Sequence, residues 1–301
     1  MIKTPKILIT GASGFTGQHA CSHFLSAGYN VTSVTRKTPL DHQIAAEFCD
    51  LTDKVSVREL IRKIKPDYLL HLAGQNHVGE SWADPISSFE TNTLSTMYLI
   101  EALRQENPTC KIVIVGSALQ FDPHQITTIK HPYSLSKTVQ ILIAQSWQIL
   151  YEMNIIIAKP TNLIGPGKSS GVCSIFAKNI VDMEKNKSEK ILEVNNLHAQ
   201  RDFVDIRDAV RAYEILLTSG ESGKIYDIAS GNSYSLEDII IEYKGLTTID
   251  FQVKLRVKGL KEEKVVIKPV DIMNLGWTPY IPLKSSLEDI LNYYRSTKVN
   301  V

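Results

Sequence analysis

The chain has 301 residues, with 33 Lys and Arg against 32 Asp and Glu and a formal net charge of +1, a balance that carries no electrostatic footprint for nucleic acid or an anionic membrane. Hydrophobic residues make up 43% of it, enough to bury one large core or a large one beside a smaller lobe. The 4 cysteines, Cys21, Cys49, Cys110 and Cys173, stand apart from one another, which predicts reduced thiols, no metal site and a cytoplasmic protein.

In chain order, Ile7, Leu8 and Ile9 form an apolar run of strand length, followed by the turn "GASGFTG" from Gly11 to Gly17. Phe15, Ala20, Phe24, Leu25 and Ala27 then recur at helical spacing until Gly28. Strand, glycine-rich turn and helix is the order that a dinucleotide site requires. Gly11 permits the tight turn, Gly14 lets the backbone approach a pyrophosphate, and Gly17 lets the helix pack against the sheet. The helix N-terminus aims its N–H groups at the anion. The spacing is G-x-x-G-x-x-G rather than G-x-G-x-x-G, and a plain corner turn is the alternative. The first strand follows Met1 too closely for a secretory signal, and no apolar run approaches the ~18 residues of a membrane span.

A second strand, "VTSVTR", ends in Arg36 with Lys37 after it. A carboxylate there would bind the ribose hydroxyl of NAD, whereas a cationic pair suits a 2′-phosphate, so the cofactor expected is NADP (NADPH), with NAD the alternative. Strand-like runs "AEFCD", "DYLLHLA", "KIVIVGSA" and "NIIIAKPTNLIG" then alternate with helical stretches around Arg58 to Lys63, Ser87 to Arg104 and Lys137 to Tyr151. That alternation predicts an α/β fold, a doubly wound parallel sheet of Rossmann type with helices on both faces.

After Pro166 the pattern loosens into "KSSGVCSIFAKNIVDMEKNK" (loop and helix), "RDFVDIRDAVRAYEILLTSG" (short strand and amphipathic helix), "GKIYDIAS" (strand), "SLEDIIIEYKGL" (capped helix) and "SSLEDILNYYR" (terminal helix). The expected organisation is a dinucleotide-binding domain over 1–165, to which 202–228 returns, and a smaller α/β substrate lobe from 166–201 and 229–301. The substrate is expected in the groove between them. The charge run "KGLKEEK" reads as solvated surface.

The chemistry is expected in "HPYSLSK", where Tyr133 and Lys137 lie four apart at the start of a helix and share one face. An ammonium beside a phenol is expected to lower a phenol pKa that starts near ~10. Ser117 ends the strand "KIVIVGSA", at the carboxyl edge where open α/β sheets bind ligands, so the three side chains are expected to converge beside the cofactor.

With these residues in view, the chain resembles the extended short-chain dehydrogenase/reductase family (the NAD-dependent epimerase/dehydratases) over nearly its whole length. "GASGFTG", "CDLTD", "HLAGQNHVGESW", "FETN", "VGSALQF", "YSLSK", "KPTNLIGPG", "RDFVDIRDAVRAY" and "LGWTP" carry the resemblance. Within the family it looks most like the nucleotide-sugar enzymes, and among them the GDP-4-keto-6-deoxymannose reductases, on "NLIGPG", "CSIFAKNI" and "NLHAQRDFVDIRDAVRAY". The resemblance implies that Tyr133 is the acid/base, that Lys137 tunes it and touches the nicotinamide ribose, and that Ser117 hydrogen-bonds the reacting sugar oxygen. It implies a cofactor held by Gly11, Gly14, Phe15, Thr16 and Gly17, by Asp50 and Leu51 at the adenine and by Leu72, Ala73 and Gly74 along the groove. Ser81 would touch the hexose, Asn162 the diphosphate region, Arg201 the diphosphate charge, and Arg256 the nucleotide end, although the family's proline after it is Val257. Solvated charge is the alternative for both arginines, and a turn former for Asn162.

Two departures bear on substrate. The stretch from Ser117 to Tyr133 is short, and the position where related 4,6-dehydratases carry a glutamate is Leu119. The expectation is therefore an NADPH-dependent reductase of a nucleotide-activated 4-keto-6-deoxyhexose in deoxysugar biosynthesis, acting as a homodimer. The alternatives are an epimerase with tightly bound NAD and a non-catalytic NADP sensor.

Overall fold

The computed structural model describes residues 4–36, 44–256, 262–264 and 266–297; Lys37 and Val257 lie outside them. The elements run β1 (Lys6–Thr10), α1 (Phe15–Ser26), β2 (Asn30–Thr35), β3 (Ala45–Phe48), α2 (Lys54–Ile64), β4 (Tyr68–His71), α3 (Val78–Ala83), α4 (Pro85–Phe89), α5 (Ser95–Glu106), β5 (Lys111–Val115), α6 (Pro132–Tyr151) and β6 (Ile155–Pro160). There follow β7 (Asn162–Ile164), α7 (Val172–Glu184), β8 (Ile191–Val194), β9 (Gln200–Arg201), β10 (Phe203–Asp205), α8 (Ile206–Ser219), β11 (Ile225–Ile228), β12 (Tyr234–Ser235), α9 (Leu236–Leu246), β13 (Gln252–Leu255), α10 (Val270–Met273) and α11 (Leu283–Ser296).

The chain divides into two compact units, Met1–Lys159 with Val210–Tyr226, and Pro160–Ala209 with Asp227–Val301. A seven-stranded sheet runs in the order β11-β6-β5-β4-β1-β2-β3, its strands β1 to β5 lying wholly in the first unit, and every pair from β3 through β6 is parallel. This is the strand order of a Rossmann fold, with the switch point beside β1, where such sheets bind dinucleotides. Ile7, Leu8 and Ile9 are fully buried, because parallel strands need apolar side chains on both faces. The core beneath them joins Leu8, Leu69, Ile112, Ile114, Ile155 and Ile157 to Val57, Ile61, Leu99, Leu103 and Ala144 of the helices.

The predicted helix over Ser87–Arg104 is broken by a π-helical turn, Glu90–Leu94. That turn aims Asn92 inward, where its side chain bonds the backbone of Gln75 and Ser136 Oγ. Such bulges gather at functional sites. The run "NIIIAKPTNLIG" is not one strand: it parts at Thr161, and β7 pairs in parallel with β10 instead of joining the seven-stranded sheet. The cause is Asp202. Its backbone carbonyl takes the Asn162 N–H at 3.1 Å and its carboxylate takes the Thr161 hydroxyl at 2.8 Å. Residues 160–165 and 202–209 therefore side with the second unit.

In that unit, α7, α9 and α11 enclose a core of Phe176, Ala177, Ile180, Leu192, Phe203, Ile239, Tyr243, Leu287 and Ile290. The aspartates of "RDFVDIRDAVRAY" hold it together. Asp202 also caps the Ser230 and Gly231 amides, and Asp205 is gripped by Arg207 and by the Ser286 hydroxyl. Asp208 accepts the Tyr280 and Ile281 amides, while its backbone carbonyl takes the Trp277 indole N–H. Much of that motif is structural.

Candidate active site

The phosphate cradle is built as its glycines require. Gly11 has φ +66°, and a Cβ there would lie 2.6 Å from the Ala73 nitrogen. A Cβ on Gly17 would lie 2.2 Å from the Gly11 carbonyl oxygen. Both positions are closed to any side chain, so the turn and the start of α1 pass within van der Waals distance of their neighbours. Gly14 is the N-cap of α1, with no side-chain cap, and half-buried Phe15 and Thr16 open the helix. The helix end can therefore present its first N–H groups to an anion.

Arg36 stands exposed just past β2. The Asp50 carboxyl is held below the usual carboxylate range, chiefly by the Thr52 amide and hydroxyl, with a further contribution from the charge of Arg36. Leu51 packs against the core of the first unit. Leu72, Ala73 and Gly74 follow β4: the Ala73 N–H donates to Thr10 Oγ1 at 3.2 Å, and a Cβ on Gly74 would lie 2.8 Å from Asn92 Oδ1. Cradle, groove and cation together suit a dinucleotide carrying a 2′-phosphate.

Tyr133 and Lys137 lie in the first turns of α6, which Pro132 opens and His131 caps, its Nδ1 accepting the Ser134 N–H at 3.0 Å. Ser117 follows β5 by two residues, its Oγ accepting the Leu119 N–H at 3.1 Å. Gln120 braces this corner, taking the Ser117 N–H on Oε1 and donating Nε2 to the Lys137 carbonyl. The buried Lys137 ammonium donates to the Val115 carbonyl at 2.7 Å.

The expected depression of the Tyr133 phenol is reversed. Burial pushes it above its ordinary value, with the Ser117 side chain pulling the other way. Burial also brings Lys137 down to about 7. Desolvation sets both shifts, because each charged form has lost its water. Tyr133 is thus a neutral phenol at neutral pH, a proton donor.

Sequence reasoning missed a buried polar chain behind the site. His71 Nδ1 bonds Thr10 Oγ1 at 2.7 Å and its Nε2 bonds Thr96 Oγ1 at 2.8 Å, to which Gln140 also donates. Burial, aided by the Lys137 charge, drives His71 down to about 3, so the ring is neutral. Asn92 had one legible sign: an asparagine inside a helical stretch competes with the helix backbone.

The remaining residues divide. Ser81 is fully buried and donates to the Val78 carbonyl at 2.7 Å, keeping only acceptor capacity. In the second unit, Arg201 and Arg256 line one cleft of about 810 Å³ together with Asn179, Asp182, Glu189 and Lys254. Asn162 is not among its lining residues, and its amide donates to the Asp202 carbonyl at 2.9 Å. Arg256 is paired with Glu193 and Arg201 with Glu262; Glu262, Glu263 and Lys264, the described residues of the charge run read as solvated surface, are all exposed. Among the described residues no group of three His, Cys, Asp or Glu is arranged to hold a metal, and no helix is long and apolar enough to cross a membrane.

A Rossmann-type sheet with a glycine cradle at its switch point and a Ser-Tyr-Lys group beyond its strand ends defines an NAD(P)-dependent oxidoreductase-type enzyme. Residues 7–229 match the NAD dependent epimerase/dehydratase family, and the chain belongs to it. It is 28% identical to a GDP-6-deoxy-D-mannose reductase of Pseudomonas aeruginosa, over 97% of this chain and 98% of that one. A putative UDP-glucose 4-epimerase of Methanocaldococcus jannaschii is also 28% identical, over 96% and 98%. Among solved structures, RMD from Pseudomonas aeruginosa complexed with NADPH superposes with a TM-score of 0.84 at 26% identity, covering 97% of this chain and 99% of that one. The Thermus thermophilus UDP-glucose 4-epimerase complex with NAD superposes equally well, 0.84 at 21% identity over 97% and 100%, and shares the fold.

Proposed function

We propose that the chain reduces the C4 ketone of a nucleotide-activated 4-keto-6-deoxyhexose, with NADPH as reductant. The reading is carried by Ser117 just past β5 and Tyr133 and Lys137 at the start of α6, with apolar Leu119 where a dehydratase would need a carboxylate. Reduction of a ketone needs an acid at the oxygen, a role open to the Tyr133 phenol, whose pKa burial raises. NADPH, when bound by the Gly11–Gly17 turn with Arg36 at its 2′-phosphate, supplies the hydride. Tyr133 gives its proton to the developing alkoxide at C4, and the Ser117 hydroxyl stabilises that oxygen. Lys137 stays hydrogen-bonded to the Val115 carbonyl and supplies a proton or positive charge one helical turn from Tyr133.

Leu119, half-exposed where a dehydratase would need a carboxylate, supports reduction without dehydration. The likeness to a GDP-6-deoxy-D-mannose reductase supports the substrate class. In this reading Arg201 neutralises the diphosphate, Arg256 and Asn162 serve the nucleotide and diphosphate ends, fully buried Ser81 shapes the pocket wall without touching the hexose, and the enzyme works as a cytoplasmic homodimer. The test incubates the protein with NADPH and 4-keto-6-deoxyhexoses activated by GDP, UDP or dTDP, following loss of NADPH absorbance. Consumption with one of them is expected. Loss of water from an intact nucleotide hexose, or tightly retained NAD with epimerised product, would overturn the assignment.

A further inference from the structure

We propose that the Glu262 carboxylate is an internal competitor for the substrate's diphosphate, seated on an anion site formed by Asn196, Gln200 and Arg201. Three donors converge on that one carboxylate. Its Oε2 accepts from Arg201 Nη1 at 2.7 Å and from the Gln200 backbone N–H at 3.3 Å. Its Oε1 accepts from Asn196 Nδ2 at 3.4 Å. A guanidinium, a backbone N–H and a carboxamide NH₂ have no acceptor among them, and together they form the donor set that proteins aim at phosphate oxygens.

The donors come from one short stretch of chain. Its end is fixed by antiparallel pairing of Arg201 with Tyr234 and of Gln200 with Ser235, and by the Arg201 Nη1 bond to the Gln200 carbonyl at 2.6 Å. The carboxylate arrives from a segment 61 residues further on. The donors are thus held by local structure, while their acceptor is supplied from elsewhere.

The pair is poised for exchange. Both side chains are 41% exposed, so water screens their attraction and the bond is weak. A diphosphate offers more negative charge and more acceptor oxygens than one carboxylate, and it takes the donors when it arrives. The same cleft repeats the design: Arg256 donates both Nε and Nη2 to Glu193 Oε2. Each arginine lining the cleft is engaged by a carboxylate, which raises the apparent Kd for an anion.

This inference rests on the nucleotide-sugar reading of the cleft. It is tested by calorimetric titration of GDP and of inorganic pyrophosphate into the wild type, Glu262→Gln, Arg201→Gln and the double variant, with thermal melting to verify folding and Glu262→Ala as a second competitor-free form. Glu262→Gln and Glu262→Ala are expected to bind both probes about two- to fivefold more tightly, the worth of an exposed ion pair. The gain should vanish in the Arg201→Gln background, and NADPH affinity should stay constant. Unchanged or weaker probe binding by both Glu262 variants would overturn the competitor role while Arg201→Gln still weakened binding. Unchanged binding by Arg201→Gln would overturn it together with the nucleotide-sugar reading.

Discussion

Replacing Lys137 by Met should abolish turnover and stabilise the fold at neutral pH. In the native protein burial brings this lysine from 10.5 down to about 7. Between those values the unfolded chain binds a proton that the folded chain does not, so the lysine's contribution to stability rises with pH across that window. The penalty is complete below about pH 7 and absent above about pH 10.5, and a difference of that size corresponds to roughly 5 kcal/mol. Methionine carries no proton and removes the whole pH-dependent part. It also leaves the Val115 carbonyl, which accepts the lysine at 2.7 Å, without that donor, at about 1–3 kcal/mol at every pH. The net gain near pH 7 is therefore about 2–4 kcal/mol, turning into a loss at high pH. Urea unfolding of both proteins at steps from about pH 6.5 to 10.5 measures the difference directly, and subtraction cancels every other titrating group. A difference that stays flat over this range would refute the argument that desolvation dominates at Lys137.

Tyr133→Phe should lower kcat by roughly 10²-fold or more with NADPH affinity nearly unchanged, since only the proton donor is lost; steady-state kinetics with undiminished turnover would remove Tyr133 from the mechanism. Arg36→Ala should weaken NADPH by about one to two decades and leave NADH nearly alone, the worth of a charge-assisted contact to the 2′-phosphate, and fluorescence titration with equal loss for both cofactors would count against it. Gly17→Ala places a Cβ 2.2 Å from the Gly11 carbonyl oxygen, with no flexible side chain to yield; a loss of about 1–3 kcal/mol on urea unfolding, with NADPH binding impaired, is expected.

Whatever depends on near neighbours in the chain was legible from the residue order. The strand–turn–helix around Gly11 to Gly17, the alternation that builds the parallel sheet, and the Tyr133–Lys137 pair on α6 all follow from periodicity and spacing, which act over a few residues. Tertiary structure decided whatever depends on a partner far along the chain. The His71–Thr10 bond spans 61 residues, and the tie of Asn162 to Asp202 that draws β7 away from β6 spans 40. Glu262, which reads as a solvated charge in "KGLKEEK", meets Arg201 across 61. The Tyr133 phenol gives the sharpest contrast. Its spacing from Lys137 predicts an attraction that lowers the pKa, yet burial raises it, because desolvation depends on every atom packed around the group and no short stretch of residues encodes that sum.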